Sequence, residues 1–380
     1  MKRKKELCAL SFLCGLMFTV SCGSPPKEGV EIVVYKQSSN ELSQAHFIEE
    51  IHWICLESAK DVLIGGAPEL RVTDSNLFVV DQRGSKKVFR FDRSGKFLNT
   101  IGSVGRGPGE YVDIEDVVVS GNGNIEIFSS PYVTRHLFTQ DGLFLNAKEY
   151  PYHASKVIEK EGIYWFYAGY GRDRKERLIQ VDASGLELGS FLPTEARVLH
   201  FGEQWSVFSK NSGRIFMREG LSLQYVYELF DRSVQPVYRF DFGTLNVTNE
   251  YFEHGDPFAA IEKLTSRPFI SINAFMESDK YAVVQGIVVE ETKEQRYIIG
   301  IKEKVTGIWH WFDSPQEGKN ALFFGAYLTL TDQSELYCVI ESERVVSLSA
   351  TLQDLLLDNE ALKNVRYGDN PVILVLQLKR

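Results

Sequence analysis

An all-β fold, a six-bladed propeller of four-stranded antiparallel blades, is predicted by three observations. A strand–turn–strand phrase recurs, the last repeat supplies one strand too few, and one strand near the amino end has no local partner. The phrase is plainest in Val88–Phe97, His136–Phe144 and Leu178–Leu186, where an apolar run meets Asp-x-x-Gly or Asp-Gly and a further run follows. Its turn glycines, Gly95, Gly142 and Gly185, lie 47 and 43 residues apart, which is the period of a four-stranded blade.

From Gly23 to about Gln44 the chain is polar and broken by Pro25 and Pro26, with one short β-like run over Val30–Tyr35, and it reads as a tether with a lead-in strand. Glu49–Glu57 is a strand whose partner must lie elsewhere. Blade one takes Glu69–Thr73, Leu77–Asp81, Lys87–Asp92 and Phe97–Ile101. Blade two spans Ile114–Tyr150, with an Asn122-Gly123-Asn124 turn suited to positive φ. Blades three and four cover Ser155–Leu192 and Trp205–Phe242, the motif losing its glycine after Asp231. Strand patterning then stops from Gly243 to Ser271. Within that stretch Asp256-Pro257 pairs an N-cap aspartate with proline at the first helical position, so a short helix is expected over Asp256–Leu264. Blade five spans Ile272–Phe312. Blade six has Ala326–Leu330, Glu335–Ile340 and Val372–Leu378, interrupted by a helix-like Leu352–Leu362. Its missing fourth strand is assigned to Glu49–Glu57, which closes the ring without an exposed edge.

Lys2, Arg3, Lys4 and Lys5 precede a 14-residue apolar core, Leu7–Val20, the layout of an export signal and too short for a membrane-spanning helix. Thr19-Val20-Ser21-Cys22-Gly23 resembles a bacterial lipobox, with Thr19 in place of the usual Leu or Val, and implies acylation of Cys22; an ordinary secretory signal is the alternative. The expected organisation is therefore residues 1–21 as signal, 22–48 as tether and lead-in strand, and 49–380 as propeller. A chain beginning at Cys22 would carry a net charge of −12 against −9 for the whole sequence, and it shows no basic stripe, which argues against nucleic acid as partner. The two remaining cysteines, Cys55 and Cys338, lie in apolar runs and read as buried free thiols, with a disulfide between them in an oxidising compartment as the alternative.

The phrase Gly105-Arg106-Gly107-Pro108-Gly109-Glu110-Tyr111 follows an Asp-x-x-Gly turn, with Leu56-Glu57 before the first blade and Asn370-Pro371-Val372 opening the last strand. In these features the chain, from about Ile48 onward, resembles the six-bladed β-propeller lipoproteins of Gram-negative gut anaerobes, distant relatives of NHL-repeat propellers. The resemblance implies an exported, lipid-anchored propeller at the outer membrane and no particular chemistry.

Two places attract a ligand reading. Arg106, Glu110 and Tyr111 sit where blade one crosses to blade two, and the glycines allow close backbone approach while Arg106 and Glu110 offer hydrogen bonds to a sugar or carboxylate. The bland reading is that the glycines shape the crossover and Glu110 accepts backbone N–H groups of a neighbouring blade. Tyr164–Tyr170 is an aromatic strand entering a charged turn, where Tyr170 and Arg172 are the residues best placed for a glycan; alternate packing against both neighbouring blades is the competing account. The seven histidines, His46, His52, His136, His153, His200, His254 and His310, show no pair at zinc-ligand spacing, so no metal is expected. Asp113, Glu115 and Asp116 read as a solvated strand edge and not a calcium loop. There is no Gly-x-Ser-x-Gly elbow, and no cofactor is expected. The expected role is a monomeric, non-catalytic recognition or scaffold protein for a glycan, peptide or protein. The alternative is an exported polysaccharide lyase or hydrolase with its site in the central channel.

Overall fold

The computed structural model describes residues 29–59, 62–66, 68–130, 132–169, 174–193, 207–218, 224–247, 262–264, 266–292, 294–314, 327–348 and 362–380. Six antiparallel sheets follow one another around an axis, with the first strand of each blade innermost. Blades one to three comprise Glu69–Val72 to Phe97–Ile101, Asp116–Val119 to Phe144–Glu149, and Lys156–Lys160 to Glu187–Pro193. Blades four and five comprise Phe208–Asn211 to Ser233–Asp241 and Phe269–Glu277 to Ile308–Asp313. Blade six has Leu328–Leu330, Glu335–Ile340 and Val372–Leu378, and its outermost strand is Ile48–Cys55. The protein is a six-bladed β-propeller.

The recurrent turn works through its aspartate. The Asp92 carboxylate accepts the backbone N–H groups of Ser94 and Lys96 at 2.9 and 3.1 Å, and Gly95 takes φ +90°, a conformation costly for residues with a Cβ. Gly95 is needed twice over, because a Cβ there would stand 2.4 Å from the Cys55 carbonyl oxygen of the closing strand. Asp182 and Gly185 repeat the arrangement, and in blade two Thr139 takes the aspartate's place, its hydroxyl accepting the Leu143 N–H.

Strand Val372–Leu378 shows why the last blade reads as an unbroken apolar run. Val372, Leu374, Leu376 and Leu378 pack towards blade five, whereas Ile373 and Val375 pack with Tyr337, Val339 and Ile54 towards blade one. Both faces are buried, so period-two alternation disappears. Ile48–Cys55 pairs antiparallel with this strand from Ile48↔Leu378 to Cys55↔Val372. A second device secures the joint. The buried Asn370 side chain donates to the carbonyls of Glu57 and Val62 and accepts the Ile64 N–H.

The lead-in run behaves differently from a free tether. Glu31–Val34 adds a fifth, parallel strand to the outer edge of blade four, in register Glu31↔Tyr238 to Val34↔Asp241. Tyr35 then donates its hydroxyl to Asp313 of blade five, and Leu42 and Phe47 are buried before the chain enters blade six. The amino-terminal segment is thus a strap across three blades. Of the helix expected at 256–264, residues 262–264 are described and helical, and the rest lies outside the described residues, as does 352–361. A helix over Ser342–Leu348 was not foreseen. Cys55 and Cys338 are not joined in a disulfide, and burial pushes the Cys338 thiol up to about 12.

Deleting 48–55 is expected to abolish cooperative unfolding, since it leaves both an open edge and an exposed apolar face. Asn370→Ala, which strands buried carbonyls and an N–H, is expected to cost about 3 kcal/mol in denaturant unfolding.

Candidate functional site in the axial channel

The inner strands of blades one, two and three each begin with a charged residue, Glu69, Asp116 and Lys156, and all three side chains are buried. Arg71, two positions along from Glu69, faces the same way by strand alternation. The four meet at one end of a cavity of about 370 Å³ along the axis. Lys156 Nζ donates to Glu69 Oε1 at 2.6 Å. Arg71 Nη2 donates to Glu69 Oε2 at 2.8 Å and Asp116 Oδ1 at 2.7 Å, Nη1 to the Tyr327 hydroxyl at 2.8 Å, and Nε to the Val117 carbonyl at 3.0 Å. Asp116 Oδ2 accepts the Val157 N–H at 2.7 Å. Blades one, two, three and six are therefore joined through one charge-balanced quartet and a phenol.

Burial would raise the Glu69 carboxyl, but Lys156 and Arg71 overcome it and hold it at about 2. At Asp116 burial wins over the same two cations and the group moves above its ordinary range. Both cations are held charged by the carboxylates in spite of burial. The opposite end of the channel is crossed by Asn211 Nδ2, which donates to the Leu330 carbonyl at 2.9 Å, and by the Ser212 N–H, which donates to Asp332 at 2.6 Å. These bonds tie blade four to blade six. Between the two ends, the buried Ser209 Oγ lines the cavity without a hydrogen-bond partner among the described residues.

Of the residues suggested by the sequence, Glu110 turns back onto its own loop. Its carboxylate accepts the Gly107 N–H at 2.7 Å and fills the space a side chain at Gly105 would need. Ser103–Val104 and Glu110–Tyr111 form a two-stranded parallel ladder at the base of this loop. Tyr111 is buried between blades one and two, against Gly102. Arg106 is exposed. Cys22, Tyr170 and Arg172 lie outside the described residues. The preceding strand packs on both sides, Tyr164 and Phe166 with blade two and Trp165 and Tyr167 with blade four. The reading of Asp113, Glu115 and Asp116 as a solvated edge needs correction: Asp113 accepts the Ser130 N–H and hydroxyl, and Asp116 is buried in the channel. Glu69, Arg71, Lys156 and Tyr327 were not singled out in the sequence. For Glu69 and Lys156 the signal is a charge opening an inner strand, visible only when blades are aligned by register.

The Domain of unknown function (DUF4934) family profile matches residues 29–377, and the chain belongs to that family. A Bacteroides fragilis protein described as exported is similar in structure, with a TM-score of 0.75 at 17% identity, over 92% of this chain and 100% of that one. A protein of unknown function from Bacteroides thetaiotaomicron aligns over 86% of this chain and 75% of its own, with a TM-score of 0.45 at 8% identity. At 17% identity the likeness to the Bacteroides fragilis protein is one of fold. No curated protein matches in sequence. Among the described residues, no helix is long and apolar enough to cross a membrane.

Lys156→Met should destabilise the protein by about 3–5 kcal/mol, because it leaves a buried carboxylate without its nearest cation. Glu69 ionises at about 2 in the fold against an ordinary 4.5, so its contribution is complete above pH 4.5 and is lost as pH falls from there towards 2. Urea unfolding followed across that window should show a shallower acid-side loss for Glu69→Gln than for the wild type.

Proposed function

We propose that this member of the DUF4934 family is a non-catalytic recognition or scaffold propeller of the cell envelope. In this reading it is related to the NHL-like propellers, exported by its amino-terminal signal, and held at the outer membrane by lipid on Cys22. It binds a glycan, peptide or partner protein on the face where the inner strands begin. The observation that carries this reading is the quartet: every charge in it is met by another charge or by a backbone group at hydrogen-bond distance, leaving no poised nucleophile or base. The choice of face rests on three features. The Arg106 loop enters the first strand of blade two there, Lys156 pairs with Tyr167 at the end of the strand that leads to Tyr170 and Arg172, and the opposite end of the channel is bridged by Asn211 and Ser212. The exported character described for the Bacteroides fragilis protein supports the compartment.

One observation favours the second reading, a lyase or hydrolase. Glu69 and Asp116 flank a single guanidinium nitrogen with their ionisations pushed apart, the pattern by which carboxylate pairs divide acid and base roles.

A glycan array followed by product analysis separates the two. Retention without released product is expected, with Arg106→Ala weakening retention about tenfold, equivalent to about 1.4 kcal/mol. Turnover that disappears in Asp116→Asn would instead establish the enzyme. Labelled palmitate is expected to enter the wild-type chain and not Cys22→Ala.

A further inference from the structure

The strap that runs from blade four to blade six passes blade five at His46. There it meets a hairpin of blade five in which Glu303 closes strand Gln295–Glu303 and His310 lies in strand Ile308–Asp313, opposite Ile301 and so on the same face as Glu303. His46 Nε2 lies 3.0 Å and His310 Nε2 2.9 Å from Glu303 Oε1, and the three donor atoms fall within 4.8 Å of one another. The two imidazoles come from positions 264 residues apart, which is why spacing along the chain carried no sign of them.

From this geometry we propose that His46, Glu303 and His310 form a zinc site that clasps the amino-terminal strap to blade five. Two imidazole nitrogens and one carboxylate oxygen are a zinc-type donor set, whereas calcium and magnesium require oxygen ligands throughout. Tetrahedral zinc with bonds of about 2.1 Å spaces its ligand atoms about 3.4 Å apart, so donors that already lie this close need only small displacements. The ligands are held in place by their neighbours. Phe47, next to His46, is buried, and its ring centroid lies 5.3 Å from that of His310. His46 is itself 65% exposed in its side chain, which leaves the remaining coordination position to water or an external donor. Because the site lies between the fifth strand of blade four and the closing strand of blade six, a bound ion would fasten the segment on which ring closure depends.

The test uses the untagged full chain. Titration with cobalt(II), then displacement by zinc, is expected to reveal one saturable site with visible d–d bands. His46→Ala and His310→Ala should each weaken it by about 100-fold or more, whereas His52→Ala leaves it unchanged. Zinc should raise the melting temperature of the wild type, EDTA should reverse the rise, and His46→Ala should lack it while melting like the wild type in EDTA. Since His46 is exposed, this variant decides the matter even if His310→Ala folds poorly. Absence of saturable binding in the wild type, or binding undiminished in His46→Ala, overturns the proposal.

Discussion

The pairing of Ile48–Cys55 with Val372–Leu378 is the constraint on which the rest of the structure depends. A ring of sheets is closed only if its ends are joined, and here the joint is made by segments more than 300 residues apart in the chain. Until they meet, the apolar faces of Leu374 and Val375 have one neighbouring blade fewer to pack against, and loop-closure entropy opposes the encounter. The molecule meets this difficulty with redundant fastening. Asn370 gathers the chain between Glu57 and Ile64, Gly95 accepts the closing strand against its bare Cα, and the strap engages blades four and five before it reaches blade six.

Closure also shapes the channel. Joined as a ring, the inner strands bring their first residues towards one axis, where Glu69, Asp116 and Lys156 lose water together. No one of these charges is tolerable there alone; as a set with Arg71 they neutralise one another and satisfy each other's hydrogen bonds. The quartet is therefore at once a fastening between blades and the most polar feature of the interior. Substitution within it is a structural change before it is a functional one, so ligand effects are better sought on the surrounding face.

The strap gives the amino-terminal segment more weight than a linker would have. Glu31 illustrates this: it sits on blade four, yet its carboxylate accepts from Lys302 at 2.5 Å and from Trp309 Nε1 at 2.9 Å in blade five. Its pairing, the burial of Leu42 and Phe47, and the approach of His46 to Glu303 all couple the chain's entry to blades that form much later in the sequence. Anything that pulled on this segment would be felt at the closing strand.

Blade number, turn chemistry and the donor of the closing strand were determined by the sequence itself, because they rest on local signals: turn glycines at a fixed spacing, aspartates that satisfy the turn's N–H groups, and a final repeat one strand short. The crossover at Gly105–Tyr111 was legible only in part, since Glu110 accepts a backbone N–H of its own loop and not, as expected, of a neighbouring blade. What the sequence could not determine is which charges face the axis. Asp116 looked like part of a hydrated acidic run, because residues from separate blades acquire a common environment only when the ring shuts. The same holds for His46, Glu303 and His310 and for the parallel placement of Glu31–Val34. Local chemistry writes each blade, whereas proximity between blades exists only in the closed ring, and the tertiary structure alone decides it.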